Sequence, residues 1–335
     1  MGVSQLFVLP DTLRSWPWNR KLNPNYEKVK AESKAWLESF HAFPPKAQNA
    51  FNRCDFNLLA SLAYPNASAE HLRTGCDLMN LFFVFDEYTD ICDAQEARRL
   101  ADIVMDALRN SDSPRPQDES VVGEIARQFW HLAKETSTES AQNIFIETFD
   151  HYTTSVVEQA EDRVTHHIRD VESYLRVRRD TIGAKPSFAL LHLSSELPEG
   201  FLSDPLVEYI STLTIDMLII GNDICSYNVE QARGDDGHNM VTIVMNSMCL
   251  SLDEALLWIS EFHDILAELF HETYMVIRRE LPALETSDAA VLYLEGLGNW
   301  VRANDCWSFE SERYFAQKGT MIQKSRMVEL LPRIQ

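Results

Sequence analysis

Leu81-Phe82-Phe83-Val84-Phe85-Asp86-Glu87-Tyr88-Thr89-Asp90 is the stretch on which the reading of this chain turns. The apolar run from Met79 to Phe85 has the composition of a buried helix, yet it ends in three carboxylates within five residues. Side chains four apart share a helix face, so Asp86 and Asp90 stand together with Glu87 beside them. Like charges at the mouth of an aromatic-lined helix repel one another and resist burial. The C-terminal end of a helix is also the wrong end of the macrodipole for carboxylates. A cation is therefore expected there. Hard oxygen donors with no His or Cys among them point to Mg²⁺ rather than zinc.

With 335 residues the chain can bury a large core. Its 45% hydrophobic and 24% charged residues are ordinary for a globular protein. The 11 glycines fall well below the roughly 23 of average usage, which disfavours sandwiches, barrels and glycine-rich nucleotide loops and favours long helices. Neither G-x-G-x-x-G nor a P-loop sequence occurs. A formal net charge of −21 argues against a nucleic-acid partner, because phosphate backbones need basic patches. An anionic small substrate would have to arrive with metal ions. Bare charges at ~4 Å repel by about 4 kcal/mol at an effective dielectric near ~20.

The six cysteines (54, 76, 92, 225, 249, 306) form no C-x-x-C pair and read as reduced thiols of an intracellular, cytoplasmic protein. Leu6–Leu9 is too short for a signal peptide, and the Met1-Gly2 start lacks the Ser or Thr of a myristoylation motif. No apolar stretch approaches ~18 residues, so no membrane span is expected. The formal sequon Asn66-Ala67-Ser68 reads as a helix start after Pro65.

Taken in order, residues 1–24, with Pro10, Trp16, Pro17, Trp18 and Pro24, form an irregular N-terminal arm whose tryptophans are structural. Helices are predicted over 25–43, 47–63, 68–92, 95–110, 118–135 and 138–166. A further one over 171–188 is broken near Gly183 and Pro186. After the 198–205 loop come helices over 206–233, 241–249, 252–280 and 286–316. No strand-period alternation, internal repeat or low-complexity segment is found. The predicted fold is all-α, a single domain over 1–335.

A second constellation lies in the 206–233 helix, Asn222-Asp223-Ile224-Cys225-Ser226-Tyr227-Asn228-Val229-Glu230. Asn222, Ser226 and Glu230 recur every fourth residue, a single stripe bearing an amide, a hydroxyl and a carboxylate oxygen. Such a stripe suits Mg²⁺, with positions left for water and phosphate oxygens. The D-E-x-x-D pattern with N-D-x-x-S-x-x-x-E about 135 residues later is a poor match for chance.

The two motifs together resemble the class I terpene cyclases, specifically the fungal, basidiomycete-type sesquiterpene synthases, and the likeness runs from Trp16-Pro17-Trp18 to Arg313-Tyr314. It implies a helical bundle in which the motifs face each other across a cavity. They would hold three Mg²⁺ that bind the diphosphate of farnesyl diphosphate. Asp86 would then be the principal carboxylate ligand and Asp90 a secondary one, with Asn222, Ser226 and Glu230 opposite. Arg178 matches the diphosphate-sensing arginine, with Arg179 as its rival, and Thr181-Ile182-Gly183 falls where binding is coupled to ionisation. Arg313 would bind diphosphate and Tyr314 would tie that contact to the acidic motif. Many relatives carry Lys where this chain has Val229, which leaves Arg233 or Lys185 as replacements.

The implied chemistry is ionisation of an allylic C–O bond, helped by electrostatic stabilisation of the leaving group. The carbocation left behind needs an apolar pocket with aromatic faces, each worth about 0.5–2 kcal/mol. Phe82, Phe83, Phe85, Trp300 and Trp307 are the candidates. Trp300, Trp307 and Tyr314 are spaced by sevens and would share one face of the last helix, while Gly296 and Gly298 would leave space for a ligand. Some of the Phe82/Phe83/Phe85 group is expected to be core. His238 reads as a loop residue, and Asp235-Asp236 as a solvated loop that orders on closure. The Glu-Tyr-Thr-Asp form of the acidic motif resembles the group closing the 1,11 bond through a humulyl cation toward Δ6-protoilludene. The alternatives are a prenyl-chain-elongating transferase on the same fold and a non-catalytic helical scaffold; monomer and homodimer are both open.

Overall fold

A computed structural model describes residues 5–281 and 287–334. The Met1-Gly2 terminus and the expected helix start at residue 286 lie outside them. The helices are α1 (Tyr26–Glu38), α2 (Pro45–Arg53), α3 (Phe56–Ala63), α4 (Ala69–Thr89), α5 (Ala94–Arg109), α6 (Val121–Lys134) and α7 (Glu139–Thr165). They continue with α8 (Val171–Thr181), α9 (Ala184–Ala189), α10 (Pro205–Arg233), α11 (Met240–Met248), α12 (Leu252–Glu280), α13 (Asp288–Glu310) and α14 (Gly319–Ser325). Among the described residues no single helix is long and apolar enough to cross a membrane.

The starts of these helices are written locally. Ser68, Asp93, Thr138, Asp170 and Asp204 each accept a backbone N–H of the first turn, and Pro205 opens α10. Ser251 and Glu254 form a reciprocal capping box at the start of α12. Gly234, at φ +82°, ends α10 in the left-handed conformation that glycine adopts without strain. Buried apolar side chains from all of the long helices form one connected core.

Three expectations need correction. The predicted helix over 47–63 is two helices, because Asp55 adopts φ +46° and caps α3 by accepting the Leu58 N–H. Short strands occur after all: β1 (Leu6–Val8) pairs antiparallel with β2 (Met327–Glu329). Three-residue strands are too short for alternation to register, and their partner lies at the far end of the chain. The last long helix stops at Glu310, so Arg313 and Tyr314 sit in the turn beyond it rather than on a helical stripe with Trp300 and Trp307. The break at Gly183 is where the sequence places it, with φ +71° between α8 and α9.

Candidate active site

α4, α7, α8, α9, α10 and α13 surround a cavity of about 610 Å³. Asp86 and Asp90 line one wall, Asn222 and Glu230 the other, and Arg178, Arg313 and Tyr314 also reach it. Phe82, Phe83, Trp300 and Trp307 line the apolar part. Four of the five predicted oxygen donors, from stripes more than a hundred residues apart in sequence, thus open on one space; Ser226 is buried behind them and does not line it.

The acidic wall is made tolerable by two arginines. Arg163 of α7 donates to the carbonyls of Thr89 at 2.7 Å and Cys92 at 3.2 Å, and stands 3.5 Å from the Asp90 carboxylate. It satisfies backbone acceptors at the C-terminal end of α4 and offsets the dipole there. Arg313 lies 3.1 Å from Glu87 and 3.9 Å from Asp86, with its guanidinium 5.4 Å from the Phe83 ring centre. Asp86 and Asp90 nevertheless remain above the ordinary carboxylate range, first because burial penalises the charge and then because of neighbouring carboxylates. Both side chains keep open surface on the cavity, 39% and 53%, so an incoming cation can reach them.

The opposite wall is organised by Asp223, a buried neighbour of the stripe. Its carboxylate accepts from the Tyr174 hydroxyl and, at 2.8 Å, from the backbone N–H of Met240, and it lies 3.3 Å from Arg178. Arg178 also donates to Asn222 Oδ1 at 2.8 Å and approaches Thr181 Oγ1 at 3.5 Å. Burial alone would favour the neutral guanidine, but Asp223, Tyr174 and Glu230 hold Arg178 firmly protonated. Asn222 Nδ2 donates to the Tyr314 hydroxyl at 2.7 Å. Tyr314 therefore ties the Arg313 turn to the Asn/Ser/Glu stripe, not to the acidic motif; it is Arg313 itself that reaches the carboxylates.

Asn239 Nδ2 sits between Ser226 Oγ (3.1 Å) and Glu230 Oε2 (2.8 Å). An N–H donor thus spans the two oxygens that a cation would share. Burial, followed by the nearby Asp223, pushes Glu230 up to about 7. This all-oxygen donor set fits a hard divalent cation. Among the described residues no three Asp, Glu, His or Cys side chains converge on one point. The two walls form no self-contained cage, and an ion here has to complete its shell with water or ligand oxygens.

The aromatic surface is fixed by its own packing. Phe82 stacks on Phe149 at 5.4 Å and meets Tyr152 edge-on at 4.8 Å. Phe83 stacks on Phe56 at 3.7 Å, and Trp307 donates to the Cys54 carbonyl at 2.8 Å. Phe85 is fully buried in the core and does not line the cavity. His238 packs edge-on against Tyr174 at 5.0 Å on the cavity side, and Asp235 and Asp236 line its mouth.

Three other expectations fail on geometry. Arg179 makes a two-pronged pair with Asp216 at 2.8 and 2.7 Å and does not line the cavity. Lys185 pairs with Asp180 at 2.6 Å, so of the two proposed replacements only Arg233 lies at the cavity. The space beside Gly296 and Gly298 is filled from within: a Cβ at 296 would meet Leu191 at 2.5 Å, and one at 298 the Trp18 ring at 2.2 Å.

Sequence reasoning missed Arg163, Asn239, Tyr152 and Asn304, which belong to the site or its support. Asn239 carried a usable signal, an Asn directly before an apolar helical run. For Arg163 and Asn304, each one polar residue on a long helix, no local signal exists.

The model of terpene synthase family 2, C-terminal metal binding, matches residues 77–267. A Δ6-protoilludene synthase of Stereum hirsutum (strain FP-91666) is 56% identical over 324 residues, 97% of this chain and 88% of the relative. One from Armillaria gallica is 54% identical over 332 residues, covering 99% and 96%. Sesquiterpene synthase 14 of Postia placenta (strain ATCC 44394 / Madison 698-R) is 48% identical over 330 residues, covering 98% and 93%. Among solved structures, linalool/nerolidol synthase from Streptomyces clavuligerus superposes with a TM-score of 0.78 at 19% identity, covering 88% of this chain and 99% of that one. Germacradien-4-ol synthase from Streptomyces citricolor gives 0.74 at 22%, covering 87% and 96%. At such identities the likeness is one of fold.

Proposed function

The chain belongs to terpene synthase family 2, and on that premise we propose that it converts farnesyl diphosphate to Δ6-protoilludene with loss of diphosphate. The observation that carries the reading is the cavity itself, with Asp86 and Asp90 on one wall and Asn222 and Glu230 on the other, above an aromatic floor. The relatives named Δ6-protoilludene synthase, more than half identical over nearly the whole chain, support the product.

Asp86, Asp90, Asn222, Ser226 and Glu230 are the residues that would hold Mg²⁺, three ions in all. When bound, those ions supply positive charge at the departing diphosphate. The rest is the work of the chain. Arg178 and Arg313, held protonated by neighbouring carboxylates, donate to diphosphate oxygens and bind the charge that develops as the allylic C–O bond breaks. Arg178, Asn222 and Tyr314 form one hydrogen-bonded chain, and Tyr314 is joined to Arg313 through the backbone of the same turn, so the two arginines are mechanically linked. Thr181, within reach of Arg178, ends α8 two residues before the Gly183 break, which stands against the Phe82 ring. Diphosphate binding at Arg178 is thereby coupled to the cavity wall.

Once ionised, the C15 chain lies against Phe82, Phe83, Trp300 and Trp307. Their faces stabilise positive charge while the enclosed, apolar surface keeps water from quenching it. Closure of the 1,11 bond gives a humulyl cation, and further ring closures followed by proton loss give the hydrocarbon.

The test is incubation of purified protein with farnesyl diphosphate and Mg²⁺, with the volatiles analysed by gas chromatography and mass spectrometry. Δ6-Protoilludene, dependent on metal, is the expected result. With isopentenyl diphosphate added, a longer prenyl diphosphate detected by liquid chromatography and mass spectrometry would identify a chain-elongating transferase, and no product under any condition would leave a scaffold.

A further inference from the structure

After β2 the chain does not leave the body. It runs along the last two turns of α10. Asn228 Nδ2 donates to the Glu329 carbonyl at 2.9 Å, and the Leu331 N–H donates back to Asn228 Oδ1 at 2.9 Å. Gln231 Nε2 donates to the Leu331 carbonyl at 2.9 Å, and the Ile334 N–H donates to the Ala232 carbonyl at 2.7 Å. Both amide residues are buried, Asn228 at 6% and Gln231 at 5% exposure. On a helix that turns about 100° per residue, Asn228, Gln231 and Ala232 face away from the Asn222/Ser226/Glu230 stripe. The turn that presents Glu230 to the cavity is thus gripped from behind by a segment joined to it by four hydrogen bonds.

The same segment delivers a charge. Arg333 lines the cavity mouth, and the bond from Ile334 to Ala232 places its backbone beside that of Arg233, which lines the mouth too. Most arginines of this acidic chain are paired with a carboxylate. Among the described residues only Arg98, Arg233, Arg278 and Arg333 have none within 4.0 Å, and two of those four stand together at this opening. Asp235 and Asp236 share the rim without pairing to either; Asp236 accepts from Thr242 at 2.7 Å. Arg233 and Arg333, neither paired with a carboxylate and both lining this opening with the half-buried Glu230, supply two guanidinium groups suited to a multiply charged phosphate oxyanion.

We propose that the segment 329–334 is a working part of the active site, a strap that braces the Glu230 turn and brings Arg333 beside Arg233 to form an entry subsite for the substrate's diphosphate. This rests on the reading of the substrate as a prenyl diphosphate.

The experiment is steady-state kinetics with farnesyl diphosphate and Mg²⁺, together with the inhibition constant of inorganic pyrophosphate, each across a range of ionic strength. Arg333→Ala should raise KM and the pyrophosphate inhibition constant about five- to tenfold, with kcat falling less than KM rises and the salt dependence of kcat/KM flattening. Arg333→Lys should recover most of the loss. Asn228→Ala, which removes two bonds of the strap, should move KM in the same direction, and the double variant should be little worse than either single one. Unchanged KM and inhibition constant in Arg333→Ala would overturn the subsite. Additive effects, or an unchanged KM in folded Asn228→Ala, would overturn the strap. A wild-type protein without turnover but with pyrophosphate binding that weakens in Arg333→Ala would fail the parent reading while sparing this one.

Discussion

At the residue scale the site is a set of charges that are each costly alone. Asp86 and Asp90 face each other's charge, and Arg163 and Arg313 are placed to offset it without sealing the carboxylates from the cavity. Asn222 bridges two of these parts, accepting from Arg178 and donating to Tyr314. Asn222→Ala should therefore lower kcat/KM by roughly 10²–10³, the scale seen when a positioned polar group is lost from a charge-stabilising site. Far-ultraviolet circular dichroism should show the helical content unchanged, and retained turnover would remove Asn222 from the mechanism. The acidic and Asn/Ser/Glu residues were legible in the sequence because their spacing matches the helical repeat. The roles of Arg179, Lys185 and Gly298 were not, since each is decided by a neighbour from elsewhere in the chain: Asp216, Asp180 and Trp18.

At the element scale, breaks matter as much as helices. Gly183 separates α8 from α9 at φ +71°, and an added Cβ would lie 3.2 Å from the Phe82 ring. Gly183→Ala should cost about 1–2 kcal/mol from the left-handed backbone alone, read as a lower melting temperature, and should slow turnover by moving the wall beside Phe82. Gly298→Ala should destabilise by about 1–3 kcal/mol through overpacking against Trp18, with a smaller effect on kcat than Gly183→Ala. In α12, burial holds His263 at a pKa of about 4, and its Nδ1 has no hydrogen-bond partner among the described residues. The unfolded chain takes up this proton near pH ~6.5 and the folded one only near its lower value. Stability from His263 is therefore present above that pH and is lost as the solution is acidified. Between pH 7 and 4.5 the fall in unfolding free energy should be about 2–3 kcal/mol smaller in His263→Leu than in wild type. An equal fall would show that this histidine is protonated in the fold. Helix positions were readable from caps and apolar periodicity. The Asp55 turn, the end of α13 at Glu310 and the β1–β2 pair were not; each carries partners distant in sequence, Tyr26 and Lys30 on Asp55, Arg20 on Glu310, and one strand on the other.

At the scale of the whole molecule, a chain of net charge −21 is proposed to bind a substrate that is itself an anion. The arrangement works if the acidic surface meets the diphosphate only through cations, with Arg178, Arg313 and the rim arginines concentrated at one opening. Ligand binding should then be strongly linked. Mg²⁺ and inorganic pyrophosphate together should raise the unfolding free energy, by about 2.7 kcal/mol at a hundredfold excess over Kd, while either alone does much less. Equal effects of metal alone and metal with pyrophosphate, in a thermal-shift titration, would contradict that linkage. The all-α architecture and the two oxygen-bearing stripes could be read from composition and spacing, whereas their meeting across a cavity was implied only by the resemblance to class I terpene cyclases. The most direct test of that meeting is diffraction from crystals grown with inorganic pyrophosphate and Mn²⁺, whose anomalous signal locates each ion. The account predicts peaks between the walls, within about 2.0–2.3 Å of oxygens from Asp86 on one side and Asn222, Ser226 and Glu230 on the other. Peaks confined to one wall, or none in the cavity, would contradict it.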